Sequence, residues 1–319
     1  QYAMEVCFDG KCTYTAPLII ARYTLSDEAK DQLKYEKLSA GNFLTAYMGK
    51  TAESSSLLCS VINIGTDEER FLVSQRYSFV KKKWNLSLDE SISTYTTGSK
   101  ELLVYTDEFC LEHVYTLLGG SENKYISADS DDLIQKCAAD DSKEYTLTKK
   151  DGTAKVFRNG YLQSETNKNG CTFMFAYNYP YSNDYDDWKA SHKNSKNELV
   201  QVLILKPTWS EPEVLINFIY DQAGNCTEIV TADGNSLLKY EYGDKENPSQ
   251  FTSIIISEHT EIELQYDKRG NLSRIVDKSQ NEGIGITYSD LGDICKAFEY
   301  SVDLGADIPK PRRIVSLSA

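Results

Sequence analysis

The stretch that decides the fold runs from Ile216 to Tyr300. It opens as INFIYDQAGNCTEIVTADGN (216–235) and returns as IELQYDKRGNLSRIVDKSQNEG (262–283). It returns once more, worn down, as GITYSDLGDICKAFEY (285–300). In each copy a tyrosine leads a glycine by four positions: Tyr220 and Gly224, Tyr266 and Gly270, Tyr288 and Gly292. Asn225, Asn271 or Asp293 follows the glycine, and then a short strand-like run, CTEIV, LSRIV or ICKAF. Between the first two copies Tyr242 keeps the spacing without the turn, so the anchors 220, 242, 266 and 288 stand 22, 24 and 22 residues apart. A fixed period in this range is the mark of a repeat architecture.

Each copy has a physical logic. Ile262, Leu264 and Tyr266 alternate with Glu261, Glu263 and Gln265, which is a strand with one buried face. The Asp-x-x-Gly-Asn step is a tight turn, because glycine takes positive φ without steric cost and Asp and Asn side chains bond back to the backbone. Leu272 to Val276 then returns antiparallel, so each copy is a hairpin. A lone hairpin is marginal in water, and successive hairpins are expected to pair edge to edge.

The pattern resembles the YD repeat of the RHS family. The matching residues are Tyr220, Asp221, Gly224 and Asn225, then Tyr266, Asp267, Gly270 and Asn271. The third copy, with Tyr288 and Gly292, has serine where the aspartate stands. A softer likeness lies upstream, where Arg76-Tyr77 and Trp84-Asn85-Leu86-Ser87-Leu88 are similar to an R-x-Y strand and a W-x-L-x-L strand of RHS lead-in regions. Lys83 replaces the glycine usual before that tryptophan. The resemblance implies a curling β-sheet that long members wind into a hollow shell. It also implies a bacterial cell-surface, wall-associated or toxin-enclosing protein. The terminal core motif with which members release a C-terminal toxin is absent from this sequence, so no protease or toxin activity is carried over.

The 319 residues carry a formal charge of −14. That balance argues against nucleic-acid binding and against docking on anionic lipid. No apolar run reaches the length of a membrane span. Tyrosine is abundant at 22, against 11 Phe and 3 Trp, which suits a sheet with one wet face. The chain begins at Gln1 and shows no signal peptide, so it reads as a mature chain or a fragment. Eight cysteines are scattered without zinc spacing. The close pair Cys7 and Cys12 brackets Asp9-Gly10, a hairpin signal; these two either bridge or remain half-buried thiols.

In chain order, residues 1–140 read as a β-rich lead-in and 141–319 as the repeat sheet. Ser26 to Leu38 carries the best helix signal, with Ser26 as cap, Asp27 and Glu28 in the first turn and Gly41 beyond the end, predicting one short helix over about 27–38. Leu102–Leu118 and Tyr145–Phe157 read as hairpins, the second turning at Asp151-Gly152, and Phe157 and Tyr177 extend the series of anchors. Residues 178–198 lack periodicity and read as an inserted loop.

Candidate chemistry is sparse. His113, His192 and His259 stand in no nucleophile or metal motif. Two acidic clusters, Asp129/Asp131/Asp132 and Asp184/Asp186/Asp187, have the hard oxygen ligands that suit Ca²⁺ but lack an EF-hand's glycine and distal glutamate, and solvated loops are the alternative. Tyr179, Tyr181, Tyr185 and Trp188 gather in the inserted loop, where they either stack on sugar rings or pin the loop to the sheet. The expected protein is therefore all-β: an open, curved antiparallel sheet of successive YD-type hairpins with one short helix. It is expected to be a non-catalytic structural module, secreted or on a bacterial cell surface, within a longer shell-forming or adhesive chain. The alternatives are a carbohydrate-binding module using Tyr181, Tyr185 and Trp188 and, less favoured, a glycoside hydrolase. No cofactor is expected beyond a Ca²⁺ ion at Asp184, Asp186 and Asp187. The expected partners are further repeats of the parent chain and, at a surface, glycans or proteins.

Overall fold

The computed structural model describes residues 7–8, 11–12, 36–48, 55–64, 71–97, 100–108, 112–128, 130–137, 143–178, 198–243, 245–246, 248–256, 260–290, 292–301 and 310–316. Their regular elements are all strands. The first seven are β1 (Cys7–Phe8), β2 (Lys11–Cys12), β3 (Glu36–Ala40), β4 (Leu44–Met48), β5 (Ser56–Ile64), β6 (Phe71–Ser78) and β7 (Lys83–Leu86). There follow β8 (Ser91–Thr97), β9 (Lys100–Thr106), β10 (Glu112–Leu117), β11 (Lys124–Ser127), β12 (Leu133–Lys136), β13 (Glu144–Thr148), β14 (Ala154–Arg158) and β15 (Tyr161–Thr166). Next come β16 (Thr172–Tyr177), β17 (Leu199–Leu205), β18 (Glu213–Tyr220) and β19 (Cys226–Thr231). The last are β20 (Ser236–Glu241), β21 (Ser253–Ile256), β22 (Thr260–Tyr266), β23 (Leu272–Asp277), β24 (Glu282–Tyr288), β25 (Ile294–Ser301) and β26 (Lys310–Ser316).

The chain divides into two compact units. One holds Gln1–Tyr23, Gly65–Arg70 and Ser87–Asn235, and the other holds Thr24–Ile64, Phe71–Leu86 and Ser236–Ala319. In the first, β8 to β15 form an antiparallel meander that closes on itself, because Tyr161 of β15 pairs with Ser91 of β8. The result is a closed barrel of eight strands with further strands outside it. This corrects the expected open sheet. Alternate residues on these strands are buried: Tyr105, Tyr115, Tyr125, Ile134, Tyr145, Leu147, Phe157 and Leu162. An eight-stranded barrel has an interior just wide enough for such side chains to fill. Closure also removes the exposed edges that an open sheet leaves.

The closing strand is shared. Tyr161, at the start of β15, meets β8, while Ser164, Glu165 and Thr166 pair with β16, so the sheet forks at β15 and runs on through β16, β17, β18 and β19. The β14–β15 turn, Asn159-Gly160, has φ of 51° and 88°. Positive φ at both central residues is the hairpin turn that matches strand twist. Gly160 serves closure as well. Its carbonyl accepts the Ile92 amide at 3.0 Å, and a Cβ there would stand 3.0 Å from the Ile92 carbonyl oxygen.

In the second unit β20 to β26 form a meander, and β3 to β7 a separate five-stranded sheet. The predicted helix at 27–38 is corrected at its C-terminal end, where residues 36–38 belong to strand β3; residues 27–35 lie outside the described residues. Leu38 and Ala40 are buried while Lys37 and Ser39 are exposed, and that period of two, paired along β4, overrides the local helix signal. The outer edge of β3 is closed by side chains. Ser39 N donates to Glu299 at 2.7 Å, Gly41 N donates to Glu282 at 2.8 Å, and the Lys37 carbonyl accepts from Arg313 at 2.6 Å.

Candidate functional site

The recurring tyrosine–turn unit is the arrangement that the chain builds most often. Asp221 N bonds the Asn225 carbonyl at 3.0 Å and Gly224 N the Asp221 carbonyl at 3.1 Å. The same pair of bonds recurs at 267–271 and at 289–293. The pattern also closes the turns at 149–153, 167–171 and 231–235. Gly224, Gly270 and Gly292 take φ of 77°, 75° and 92°, the left-handed region that a side chain resists.

The first residue of the turn explains the aspartate. Asp267 Oδ1 accepts from Arg269 N and Asn271 N, each at 2.9 Å, and its Oδ2 accepts from Asn271 Nδ2 at 2.8 Å. Asp221 makes the same three bonds to Ala223 and Asn225. Ser289 Oγ takes over the role for Asp293 N at 3.1 Å, which is how the degraded copy keeps its turn. The amide of Asn225 leads in holding the Asp221 carboxyl below its ordinary range. Burial raises the Asp267 carboxyl, but bonds from Asn271 and Arg269 outweigh it and leave the group lowered.

The anchor tyrosine sits at one register position throughout. Tyr220, Tyr266 and Tyr288 pair with Cys226, Leu272 and Ile294, each immediately after a bulge. A bulge re-aims a side chain, and here each phenol reaches the hairpin before its own. Tyr220 donates to the Leu199 carbonyl at 2.8 Å, Tyr266 to Phe251 at 2.8 Å and Tyr288 to Leu272 at 2.7 Å. Tyr177 makes the equivalent bond to Leu162 at 2.9 Å. Burial leads in pushing the Tyr177, Tyr220 and Tyr288 hydroxyls well above the ordinary phenol range, so they remain donors. Tyr242, in phase by sequence, falls after β20 and packs edge-on against Phe251 instead.

The lead-in motif meets this unit. Trp84 Nε1 donates to the Tyr266 hydroxyl at 3.0 Å, and the Tyr77 hydroxyl accepts from Leu272 N at 3.1 Å. Trp84 also packs against Phe251 and Tyr77 at ring distances of 5.3 Å, and Gln75 Nε2 donates to the Tyr240 hydroxyl at 2.7 Å. The repeat spacing located the tyrosines; their hydroxyl partners, 15 to 182 residues away, left no local signal.

A second cluster escaped the sequence reading. Lys155 and Glu90 are buried and paired at 2.6 Å, Tyr105 donates to Glu90 at 2.5 Å, and Glu165 lies 3.3 Å from Lys155. Glu108 stands 3.9 Å from Lys155 and bonds Lys149 at 3.2 Å. Lys155 precedes the interior Phe157 by two residues, so strand alternation alone puts it on the inner face. Burial pushes the Glu90 carboxyl up despite Lys155. Burial also opposes the Lys155 ammonium, but Glu90, Glu165 and Glu108 together raise it. A lysine held charged in this way is the reverse of an activated nucleophile, which needs a depressed pKa.

The other nominated residues separate. Tyr179, Tyr181, Tyr185, Trp188, Asp184, Asp186, Asp187, Asp129, His192 and His259 lie outside the described residues. Asp131 pairs with Lys150 at 2.8 Å, and His113 bonds Asp107 at 3.1 Å. Among the described residues no group of three or more His, Cys, Asp or Glu gathers as a metal site.

No protein-family model matches the chain, and no curated protein does. Solved structures with likeness include the crystal structure of TcdB2-TccC3-Cdc42, at 13% identity and a TM-score of 0.31 over 84% of this chain. Another is TcdB2-TccC3 without its hypervariable C-terminal region, at 13% identity and 0.30 over 80%. The chain matches 13% and 12% of the length of those two chains.

Proposed function

We propose that this chain is a non-catalytic structural β-module of a secreted or cell-surface protein of the RHS/YD-repeat type, within a longer shell-forming or adhesive chain. The observation that carries the reading is the repeated tie of a tyrosine hydroxyl to the carbonyl of the preceding hairpin, at Tyr177, Tyr220, Tyr266 and Tyr288. Ties of this kind make each hairpin depend on its neighbour, which is how repeat arrays gain stability from nearest-neighbour contacts. The tyrosines spend their polar atoms on the backbone of the same chain, as a scaffold requires. Further repeats of the parent chain are the partners that such a stack accepts.

The test joins a stability series to a search for binding. Tyr→Phe at 177, 220, 266 and 288 should each lower stability and change nothing else. The wild-type chain should be silent on a glycan array and on a panel of glycoside substrates. A glycan signal that disappears in Trp188→Ala while the melting temperature holds would replace the scaffold with a binding module. Turnover that one carboxylate substitution abolishes would replace it with an enzyme.

A further inference from the structure

The chain's charge is unevenly held. The segments of the second unit carry nearly equal numbers of acidic and basic residues, so the overall −14 belongs almost wholly to the first unit. Within the second unit, exposed cations gather on two neighbouring turns. Ser78 pairs with Lys83, which leaves Phe79, Val80, Lys81 and Lys82 as the loop between β6 and β7. Lys81, Lys82 and Lys83 are all exposed, and the β22–β23 turn adds Lys268 and Arg269, exposed as well. Gln250 ties the two turns together: its Nε2 donates to the Lys82 carbonyl at 3.0 Å and to the Gly270 carbonyl at 3.4 Å.

Two carboxylates stand close by. Asp267 spends its oxygens inside its own turn, and Asp290 lies 3.9 Å from Arg269, whose guanidinium also donates to the Ser289 and Asp290 carbonyls. Among the described residues no carboxylate is ion-paired with Lys82, Lys83 or Lys268. The apolar residues of the β6–β7 loop divide. Phe79 is buried edge-on against Tyr77, while Val80 beside it is 54% exposed. A single-stranded nucleic acid would need aromatic faces to stack on, and here Tyr77 and Phe79 are buried and Trp84 packs on Phe251. An exposed valine set among cations suits a surface that offers anionic headgroups with hydrocarbon beneath them. At about 0.1 M salt, charges more than about 10 Å apart are largely screened. The cations at the contact, rather than the total charge of the chain, therefore decide the attraction.

We propose that the neighbouring β6–β7 and β22–β23 turns form a docking surface for anionic phospholipid, with Lys81, Lys82, Lys83, Lys268 and Arg269 on the headgroups and Val80 at the hydrocarbon boundary. The contact is peripheral and reversible, because one valine adds little to what the cations supply.

The test sediments the whole chain with vesicles at about 0.1 M salt. One set is phosphatidylcholine alone, and the other is three parts phosphatidylcholine to one part phosphatidylserine. Binding should appear only with phosphatidylserine and should fade at about 1 M salt. Each lysine near such a surface is worth a factor of about five, so Lys81→Gln, Lys82→Gln and Lys83→Gln together should weaken partitioning about a hundredfold. The same substitution at exposed Lys124, Lys239 and Lys296 makes an equal change in net charge and should leave binding within a few-fold. Val80→Ser should weaken it several-fold. Lys268→Glu, on the other turn, should weaken it too, and it carries the test if the triple variant is unfolded by hydrogen exchange. No binding to phosphatidylserine vesicles would overturn the proposal, as would equal losses for the two lysine triplets. Wild-type binding by Val80→Ser, with soluble polyphosphate held as tightly as the vesicles, would overturn it as well, because that is the behaviour of a site for soluble polyanions.

Discussion

Replacing Tyr266 by phenylalanine removes one oxygen and leaves the ring in place. That oxygen donates to the Phe251 carbonyl at 2.8 Å and accepts from Trp84 Nε1 at 3.0 Å. Each part-buried bond contributes about 0.5–1.5 kcal/mol net, and an abandoned buried partner costs about 1–3 kcal/mol. The expected loss for Tyr266→Phe is therefore about 2–3 kcal/mol. Tyr220→Phe gives up the single bond to Leu199 and should lose only about 1 kcal/mol. Tyr266→Ala also forfeits ring burial and leaves a cavity, bringing its cost to about 4 kcal/mol or more. Because the chain has two compact units, one global transition is a poor measure. Native-state hydrogen exchange resolves the loss, and it should appear in the amides of β21 to β23 and around Trp84. Trp84→Phe combined with Tyr266→Phe should cost less than the sum of the single changes, because they share one bond. Equal losses for Tyr266→Phe and Tyr220→Phe, with strict additivity to Trp84→Phe, would refute the double role of the hydroxyl.

Other residues make sharper single tests. Gly270→Val, at φ 75°, should lower local stability by about 1–2 kcal/mol, read from native-state hydrogen exchange of the β22 and β23 amides. Gly285→Ala should cost about 1–3 kcal/mol, because a methyl there collides with the Phe298 ring across the strand pair, and Phe298→Leu should recover part of that loss. Asp267 has a lowered folded pKa, so its contribution is present above the ordinary carboxylate pKa of about 3.9 and is lost as pH falls through the lower folded value. Asp267→Asn should keep the turn, as Asn167 does in its own, and should flatten the loss of melting temperature below about pH 4. Asp267→Ala should cost about 1 kcal/mol at neutral pH.

The strand character, the hairpin turns and their anchors were legible in the sequence because their causes are local. Tyr266, Asp267, Gly270 and Asn271 lie within six residues of one another, and a turn of that size is decided by steric limits and short side-chain bonds. What the turn residues could not reveal is where a strand finds its second neighbour. Closure rests on Tyr161 meeting Ser91, 70 positions away, and nothing near Ser91 differs from any other strand start. The successive hairpins and their resemblance suggested an open sheet, but a meander closes once its inner face is filled, and the tyrosines at 105, 115, 125 and 145 supply that volume. The helix signal before Gly41 had correct local chemistry, yet the residues at 36–38 went to β3, whose Leu38 and Ala40 gain more from burial than a short polar helix gains from its caps. The Glu90–Lys155–Tyr105 cluster was likewise decided by tertiary structure. Three residues up to 65 positions apart become partners only when the barrel excludes water from around them, and until then each is an ordinary polar side chain.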